Sequence, residues 1–283
     1  MEAYFNVHFF KERNRNLDID HLMSFFGVLE GANIEIQDSE ILIDYQMPRL
    51  GYGARFLITK KSRVPNISRL SPKFLDLNFH LEIPLLTPDY VAHKLFEIVK
   101  EIQMTFELHI YSEMFEDVLP FKMDLLIKAF SIAKEAFINK NPSIMQQYNI
   151  VDKVVLGNIL RYYDEMYSLQ MYYKEQETYV PNYLFLKDSS GTIHPGFEWK
   201  EKTSTVFPPN TEFIVYITSE GKLLLVDEVE DILGKYLLDV PGFIKNTKVT
   251  GSKVKKIHKL VKKMKPTKVN EEFSRVNLST LID

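Results

Sequence analysis

The clearest pattern of apolar and polar positions along the chain lies between residues 74 and 84. Leucine, phenylalanine and isoleucine alternate there with polar side chains, namely Asp76, Asn78, His80 and Glu82. Because successive side chains of a strand point to opposite faces of a sheet, this alternation predicts a strand with one buried and one polar face. Shorter strand-like segments precede it at 4–10, 34–36, 41–45 and 55–60.

Apolar residues also recur at helical spacing, and the residue types that favour helix ends flank several of these stretches. The predicted helices lie after Asp18, after Thr87, from Pro120 to about Asn139, from Val151 to about Gln176, from Asp227 to Leu237, and between Gly251 and Pro266. The strands come in runs and do not alternate with helices. This order predicts an α+β fold with an antiparallel or mixed sheet and helices packed on one of its faces.

The order of the predicted elements suggests three parts. We expect an N-terminal α+β domain over residues 1–142 and a long helix that links two lobes over 143–180. A smaller C-terminal α+β domain over 181–283 would end in a basic amphipathic helix. No glycine-rich turn joins a strand to a helix, which disfavours a dinucleotide-binding sheet and any nucleotide cofactor.

Composition excludes several classes of site. The 283 residues include no cysteine, so disulfides, thiolate zinc sites, iron–sulfur clusters and a cysteine nucleophile are excluded. The first residues do not resemble a secretory signal, and no apolar run is long enough to cross a bilayer. We therefore expect a cytoplasmic protein without a membrane span, and no motif predicts a cofactor or a metal ion.

Charge is distributed unevenly along a chain whose net charge is only −3. Residues 49–73, the first basic segment, contain seven basic residues and no acidic one. Residues 245–268, the second basic segment, contain ten lysines and again no acidic residue. The residues that we expect to bind an anion or a partner are Arg49, Arg55, Lys60, Lys61, Arg63, Lys255, Lys256, Lys259, Lys262 and Lys263.

The second basic segment predicts an amphipathic helix. Val254, Ile257 and Val261 share one side, and most of the lysines lie on the other. Such a cationic face could bind phosphates, an anionic membrane surface or an acidic protein. A solvated face that pairs with acidic parts of the same chain is an equal alternative. The apolar side lacks the large residues of a membrane anchor, which weighs against a membrane.

Two other patterns permit a site, although a simpler interpretation is favoured for each. Gly51 and Gly53 lie between arginines and could form an anion-binding backbone nest, but a plain turn explains them better. Asp76, His80 and Glu82, together with His109, could hold a metal ion or perform acid–base chemistry. A solvent-exposed strand face is the favoured interpretation of these residues.

The long helix predicted from Val151 carries apolar and aromatic residues on two stripes. Burial of both stripes is the favoured interpretation, and an exposed partner interface is the alternative. The residues of that interface would be Tyr162, Tyr163, Tyr167 and Tyr173.

No catalytic motif is present, so the sequence favours a non-enzymatic binding or adaptor protein, of regulatory or immunity type, with a protein partner. The alternative is a nucleic-acid-binding protein that uses both basic segments. A third hypothesis is an enzyme whose site is assembled in space from residues such as Asp76, His80, Glu82 and His109. The oligomeric state is not predicted by the sequence.

Overall fold

A computed structural model describes residues 3–14, 17–218, 221–268 and 272–283. The chain divides into two compact units, Met1–Gln146 and Gln147–Asp283. Each unit combines helices with sheets in which most strand pairs are antiparallel, which confirms the predicted α+β fold class. Within the described residues, no helix combines the length and the apolar character that crossing a bilayer requires.

The first unit is built on a six-stranded antiparallel sheet of order β2-β3-β4-β5-β1-β6. Its strands are β1 (Tyr4–Glu12), β2 (Ala32–Ile36), β3 (Glu40–Gln46), β4 (Gly53–Thr59), β5 (Phe74–Pro84) and β6 (His109–Tyr111). Its helices are α1 (Ile19–Val28), α2 (Asp89–Phe106) and α3 (Met123–Lys140). The strand predicted from strict alternation is β5, with the predicted bounds.

Phenylalanine side chains pack the helices against one face of this sheet. The ring of Phe5 on β1 lies 6.1 Å from that of Phe96 on α2 and 5.6 Å from that of Phe130 on α3. Phe26 on α1 lies 4.9 Å from Phe56 on β4. Burial of these large rings accounts for the position of the helices, because each buried aromatic side chain removes a large apolar area from water.

On the opposite face of the sheet, the structure differs from the solvent-exposed strand face that the sequence favoured. His80 on β5 is 2% exposed and stacks on His8 of β1, which is 3% exposed, at a ring distance of 5.2 Å. The first basic segment covers this face: Arg63 contacts Glu82 at 3.3 Å, and Val64 is buried. His80 is therefore buried within the polar face, whereas Asp76, Asn78 and Glu82 are partly exposed. Alternation shows that two faces differ, but a loop that covers one of them leaves no periodic signal.

The described residues of the second unit form three sheets and three α-helices. A mixed five-stranded sheet has the order β12-β11-β9-β8-β15, a three-stranded sheet the order β10-β14-β13, and β16 pairs with β7. The helices are α4 (Lys153–Tyr173), α5 (Val226–Leu233) and α6 (Val254–Lys263). The strands are β7 (Asn149–Ile150), β8 (Tyr183–Lys187), β9 (Ile193–Lys200), β10 (Val206–Phe207), β11 (Phe213–Ile217), β12 (Lys222–Leu225), β13 (Leu237–Asp239), β14 (Lys248–Thr250), β15 (Ser274–Val276) and β16 (Leu281–Ile282).

The core of the second unit centres on its single tryptophan. Trp199 on β9 is fully buried, and its ring lies 5.1 Å from Phe207, 5.5 Å from Tyr216 and 5.0 Å from His258. Apolar residues of α5 and α6 belong to the same buried cluster. The basic helix is therefore anchored over the sheet by its apolar side. Two short strands, β15 and β16, follow it, and the sequence pattern did not predict them.

A lysine-lined cleft along helix α6

Helix α6 is amphipathic, as the spacing of its apolar residues predicts. Ile257 and Val261 are fully buried in the core of the second unit, whereas the lysines of the helix are exposed. His258 lies on the buried side as well and is 3% exposed. The helix therefore presents most of its charge to solvent while one stripe holds it in place.

Both ring nitrogens of His258 are engaged. Its Nε2 lies 3.2 Å from the carbonyl oxygen of Thr203, which can only accept, so Nε2 carries the proton. Nδ1 is then free to accept a hydrogen bond from the hydroxyl of Tyr216, at 2.6 Å. Burial lowers the pKa of His258, which keeps the imidazole neutral, and burial together with the charge of Glu201 raises the pKa of Tyr216 to about 12.

The C-terminal end of α6 is held by a charged side chain. Lys222 on β12 donates from Nζ to the carbonyl oxygen of Lys262 at 2.8 Å and to that of Met264 at 3.3 Å. Carbonyls at the C-terminal end of a helix have no partner within the helix, and the helix dipole makes this end negative. Lys222 gives these carbonyls a hydrogen-bond donor and places a positive charge at the negative end of the helix. It thereby fixes the direction in which the lysine-rich side faces.

A cleft with a volume of about 870 Å³ runs along this side of α6. One wall is the helix itself, and the residues of the other wall come from the segment after β9 and from the end of α4. The helix contributes Lys255, Lys259, Lys262 and Lys263, and the other wall includes Gln176, Glu201, Thr203 and Ser204.

The lysines of the cleft differ in their pairing. Lys262 forms a salt bridge with Glu201 across the cleft, which lowers the pKa of that carboxyl. Lys255, Lys259 and Lys263 form no salt bridge within the part of the chain that the structure describes. They follow one another at intervals of four residues, where like charges repel and destabilise a helix. The fold therefore tolerates a row of like charges along the cleft.

Four of the five predicted lysines of the second basic segment thus line one cleft. The fifth, Lys256, lies instead above the ring of Tyr236, with Nζ 5.7 Å from the ring centre. The other wall was missed by the sequence analysis. Glu201 and Thr203 lie in a loop more than 50 residues before α6, and no motif connects them to it.

The basic side chains of the first basic segment have different surroundings. Arg63 contacts Glu40 at 2.9 Å as well as Glu82, and the guanidinium of Arg55 lies 5.6 Å from the centre of the Tyr4 ring. Lys60 and Lys61 are exposed, as is Arg49.

The glycine pair in this segment is a turn, as the favoured interpretation had it. The amides of Leu50 and Gly51 both donate to the carbonyl oxygen of Met47, at 3.3 and 3.1 Å. These two amides are therefore already used and do not point at an anion. Gly51 has a φ of +70°, a conformation that glycine adopts without strain.

The four tyrosines of the predicted interface have different environments. Tyr162 is 2% exposed and donates to the carbonyl oxygen of Pro181, at 2.8 Å. The hydroxyl of Tyr163 accepts from the amide of Tyr183, at 3.0 Å. Tyr173 is buried, whereas Tyr167 is 56% exposed. The partner interface on α4 stays a prediction, and Tyr167 is its accessible member.

The four residues of the hypothetical enzyme site do not meet in one cavity. A hydrogen bond with His80, at 3.3 Å, lowers the pKa of Glu82, while burial raises the pKa of Asp76. His109 packs on Phe74 at a ring distance of 4.6 Å. A cavity of about 460 Å³ is lined by Asp76 without the other three. Among the described residues, no group of three or more histidine and acidic side chains could hold a metal ion.

Comparison with known proteins gave no match to a family model, to a curated protein or to a solved structure. We therefore infer function from the chemistry of the cleft. Ammonium groups line it on one side, and the histidine beneath it is buried with both nitrogens engaged. This arrangement is suited to binding an anion.

Proposed function

We propose that the protein is a non-enzymatic binding protein that holds an acidic segment of a protein partner in the cleft along α6. The observation that carries this proposal is the row of Lys255, Lys259 and Lys263 along a cleft of about 870 Å³, without salt bridges in the described parts of the chain. A partner that neutralises the row would remove its repulsion and gain charge-assisted hydrogen bonds.

The spacing of the lysines favours an extended peptide. Residues four apart on a helix are separated by about 6 Å along its axis. Alternate residues of an extended chain lie about 6.6 Å apart on one side. A peptide with acidic residues at every second position would therefore place one carboxylate near each of Lys255, Lys259 and Lys263.

The composition of the cleft favours a protein over a single-stranded nucleic acid. Binding of single strands without sequence preference combines basic residues with aromatic rings on which bases stack. The described residues that line the cleft include no aromatic side chain other than the buried His258. Glu177 and Glu201 also line it, and their carboxylates can accept hydrogen bonds from the backbone amides of a peptide, which a nucleic-acid backbone does not supply.

The test is fluorescence anisotropy with a labelled peptide of alternating Glu and Thr, over a salt series. The cleft variant reverses three charges, Lys255→Glu, Lys259→Glu and Lys263→Glu. We expect it to weaken binding by about 100-fold or more, because three charge-assisted contacts become repulsive. A peptide with Gln in place of Glu should not bind.

The matched control reverses three exposed charges of the first basic segment, Lys60→Glu, Lys61→Glu and Lys73→Glu. It changes the net charge by the same amount and should retain the affinity of the unmodified protein. Equal loss in both variants would show a non-specific effect of net charge and would overturn the proposed site. Stronger binding of mixed DNA or RNA oligonucleotides than of the acidic peptide, abolished by the cleft variant, would replace the protein partner with nucleic acid.

A further inference from the structure

A second cavity lies near the beginning of α6, and two lysines line it. Its volume is about 450 Å³, and its lining includes Lys235, Tyr236, Ser252 and Lys253. The Nζ atom of Lys235 lies 5.4 Å from the centre of the Tyr236 ring, and that of Lys256 lies 5.7 Å from the same centre. The ring of Tyr236 therefore has two ammonium groups near it, those of Lys235 and Lys256.

The lysines of this cavity are not neutralised by acidic side chains. Lys235, Lys253 and Lys256 form no salt bridge with any aspartate or glutamate that the structure describes. A concave surface lined by charges of one sign raises the local concentration of the opposite ion. The cavity therefore has the electrostatic character of an anion site.

The phenol of Tyr236 responds to this positive potential. The hydrogen bond from Lys256, together with the charges of Lys235 and Lys253, holds the pKa of Tyr236 below its ordinary value. The other tyrosines of the second unit with a shifted pKa behave in the opposite way, because burial raises the pKa of Tyr162 and Tyr183. The pKa of Tyr236 is therefore sensitive to the positive charge that surrounds the cavity.

The N-terminal end of α6 adds to the positive electrostatic potential at the cavity. Lys253 is the residue that precedes α6, and no described side chain caps this end of the helix. The first turn contains lysines and no acidic residue, which opposes the helix dipole. An anion bound near this end would offset the unfavourable interaction between these lysines and the helix dipole.

We propose that the cavity lined by Lys235, Tyr236 and Lys253 binds a small phosphate monoester, whose phosphoryl oxygens pair with Lys235 and Lys253. A phosphate monoester matches the cavity better than a carboxylate, because it carries nearly two negative charges and three acceptor oxygens. The organic part of the ligand would contact Leu238, which lines the cavity and is 56% exposed. This site is separate from the cleft, and it does not depend on the proposed partner.

The binding test uses phenyl phosphate and inorganic phosphate, titrated by calorimetry at about pH 8, above the second pKa of phosphate near 6. The cavity variant is Lys235→Met with Lys253→Met, which keeps the aliphatic stems and removes two charges. We expect it to weaken phenyl phosphate binding by about tenfold or more. The matched control, Lys259→Met with Lys263→Met, removes two charges from the cleft and should bind phenyl phosphate as the unmodified protein does.

A second readout follows the phenol itself. The near-ultraviolet absorbance of tyrosinate is titrated in the unmodified protein and in the Tyr236→Phe variant, and their difference isolates Tyr236. Bound phosphate should raise the apparent pKa of Tyr236, because its negative charge offsets the lysines that lower it. A titration that saturating phosphate leaves unchanged would place the ligand elsewhere and overturn the site.

Three outcomes of the calorimetry would also overturn the proposal. They are absence of binding, equal weakening in the cavity variant and in the cleft control, and phenyl phosphate that binds no more tightly than inorganic phosphate. The last outcome would leave an inorganic anion site in place of a monoester site. Failure of the acidic peptide to bind the cleft would leave all of these results unaffected, so the two proposals can fail separately.

Discussion

The two basic segments carry the same signature in the sequence, since each combines many basic residues with a complete lack of acidic ones. In the first unit, Arg63 pairs with Glu40 and Glu82, and the segment covers a polar face of the sheet. In the second unit, four lysines of α6 line a cleft, and within the described residues Lys262 alone among them pairs with an acidic residue of the opposite wall.

The difference between the segments follows from what lies beneath each one. The first segment lies over polar and titratable groups, so part of its charge completes ion pairs that the sheet requires. Helix α6 is held by apolar residues and by a neutral histidine, so its lysines are not needed to hold it in place. A run of like charges therefore indicates a binding surface only when the element that carries it is anchored by something else.

The largest expected effect concerns acid stability of the first unit. Burial, together with the charge of His80, lowers the pKa of His8 to about 3, from an ordinary value of 6.5. The unfolded chain binds this proton at pH values where the folded chain does not, so His8 has no effect on stability above pH 6.5 and destabilises the folded state progressively as the pH falls toward 3. The free energy of unfolding should fall by up to about 1.4 kcal/mol per pH unit in this range.

Urea unfolding followed by circular dichroism at several pH values would measure this loss. The groups around His8 are His80, Glu82 and Arg63, and Asp76 lies on the same sheet face. The lowered pKa of Glu82 adds to the loss at acid pH, whereas the raised pKa of Asp76 opposes it. The His8→Phe variant should therefore be less acid-sensitive, and an unchanged pH dependence would refute the origin in His8.

The next effect tests the anchoring of α6. Replacing His258→Phe would leave the buried hydroxyl of Tyr216 without its acceptor, and an unsatisfied buried polar group costs about 1–3 kcal/mol. Urea unfolding followed by the fluorescence of Trp199, whose ring lies 5.0 Å from that of His258, would report the change in the second unit.

The double variant His258→Phe with Tyr216→Phe provides the control for that measurement. Removing both partners of a hydrogen bond is nearly neutral, so it should recover most of the lost stability. A double variant that is less stable than His258→Phe alone would mean that packing against Trp199 determines the effect, and not the hydrogen bond.

The sequence predicted the long strands and helices of both units, because local signals determine them, whereas the short strands β7, β10, β13, β14, β15 and β16 were not predicted. The alternation in β5 and the Asp18 that accepts from the amide of His21 at the start of α1 are examples of such signals. The burial of His80 on the β5 polar face was not predicted, because the covering loop and His8 come from other parts of the chain.

The candidate site was predictable only in part for the same reason. Helical spacing placed the lysines of α6 on one side of a helix, and four of them line the cleft. The opposite wall, with Glu201 and Thr203, is brought to α6 by the packing of Trp199, Tyr216 and His258. These contacts depend on the folded core, and no local motif encodes them.

The smallest effect separates the two segments most directly, through a pair of matched substitutions. Arg63→Met should lower the free energy of unfolding by about 0.5–1 kcal/mol, since it removes partly exposed contacts with Glu40 and Glu82. Lys259→Met should change stability by no more than a few tenths of a kcal/mol, in the direction of a gain, because it relieves repulsion from Lys255 and Lys263. Binding of the acidic peptide should show the opposite order, with Lys259→Met the weaker binder. If Arg63→Met instead weakened peptide binding and left stability unchanged, the assignment of structural and binding roles to the two segments would be reversed.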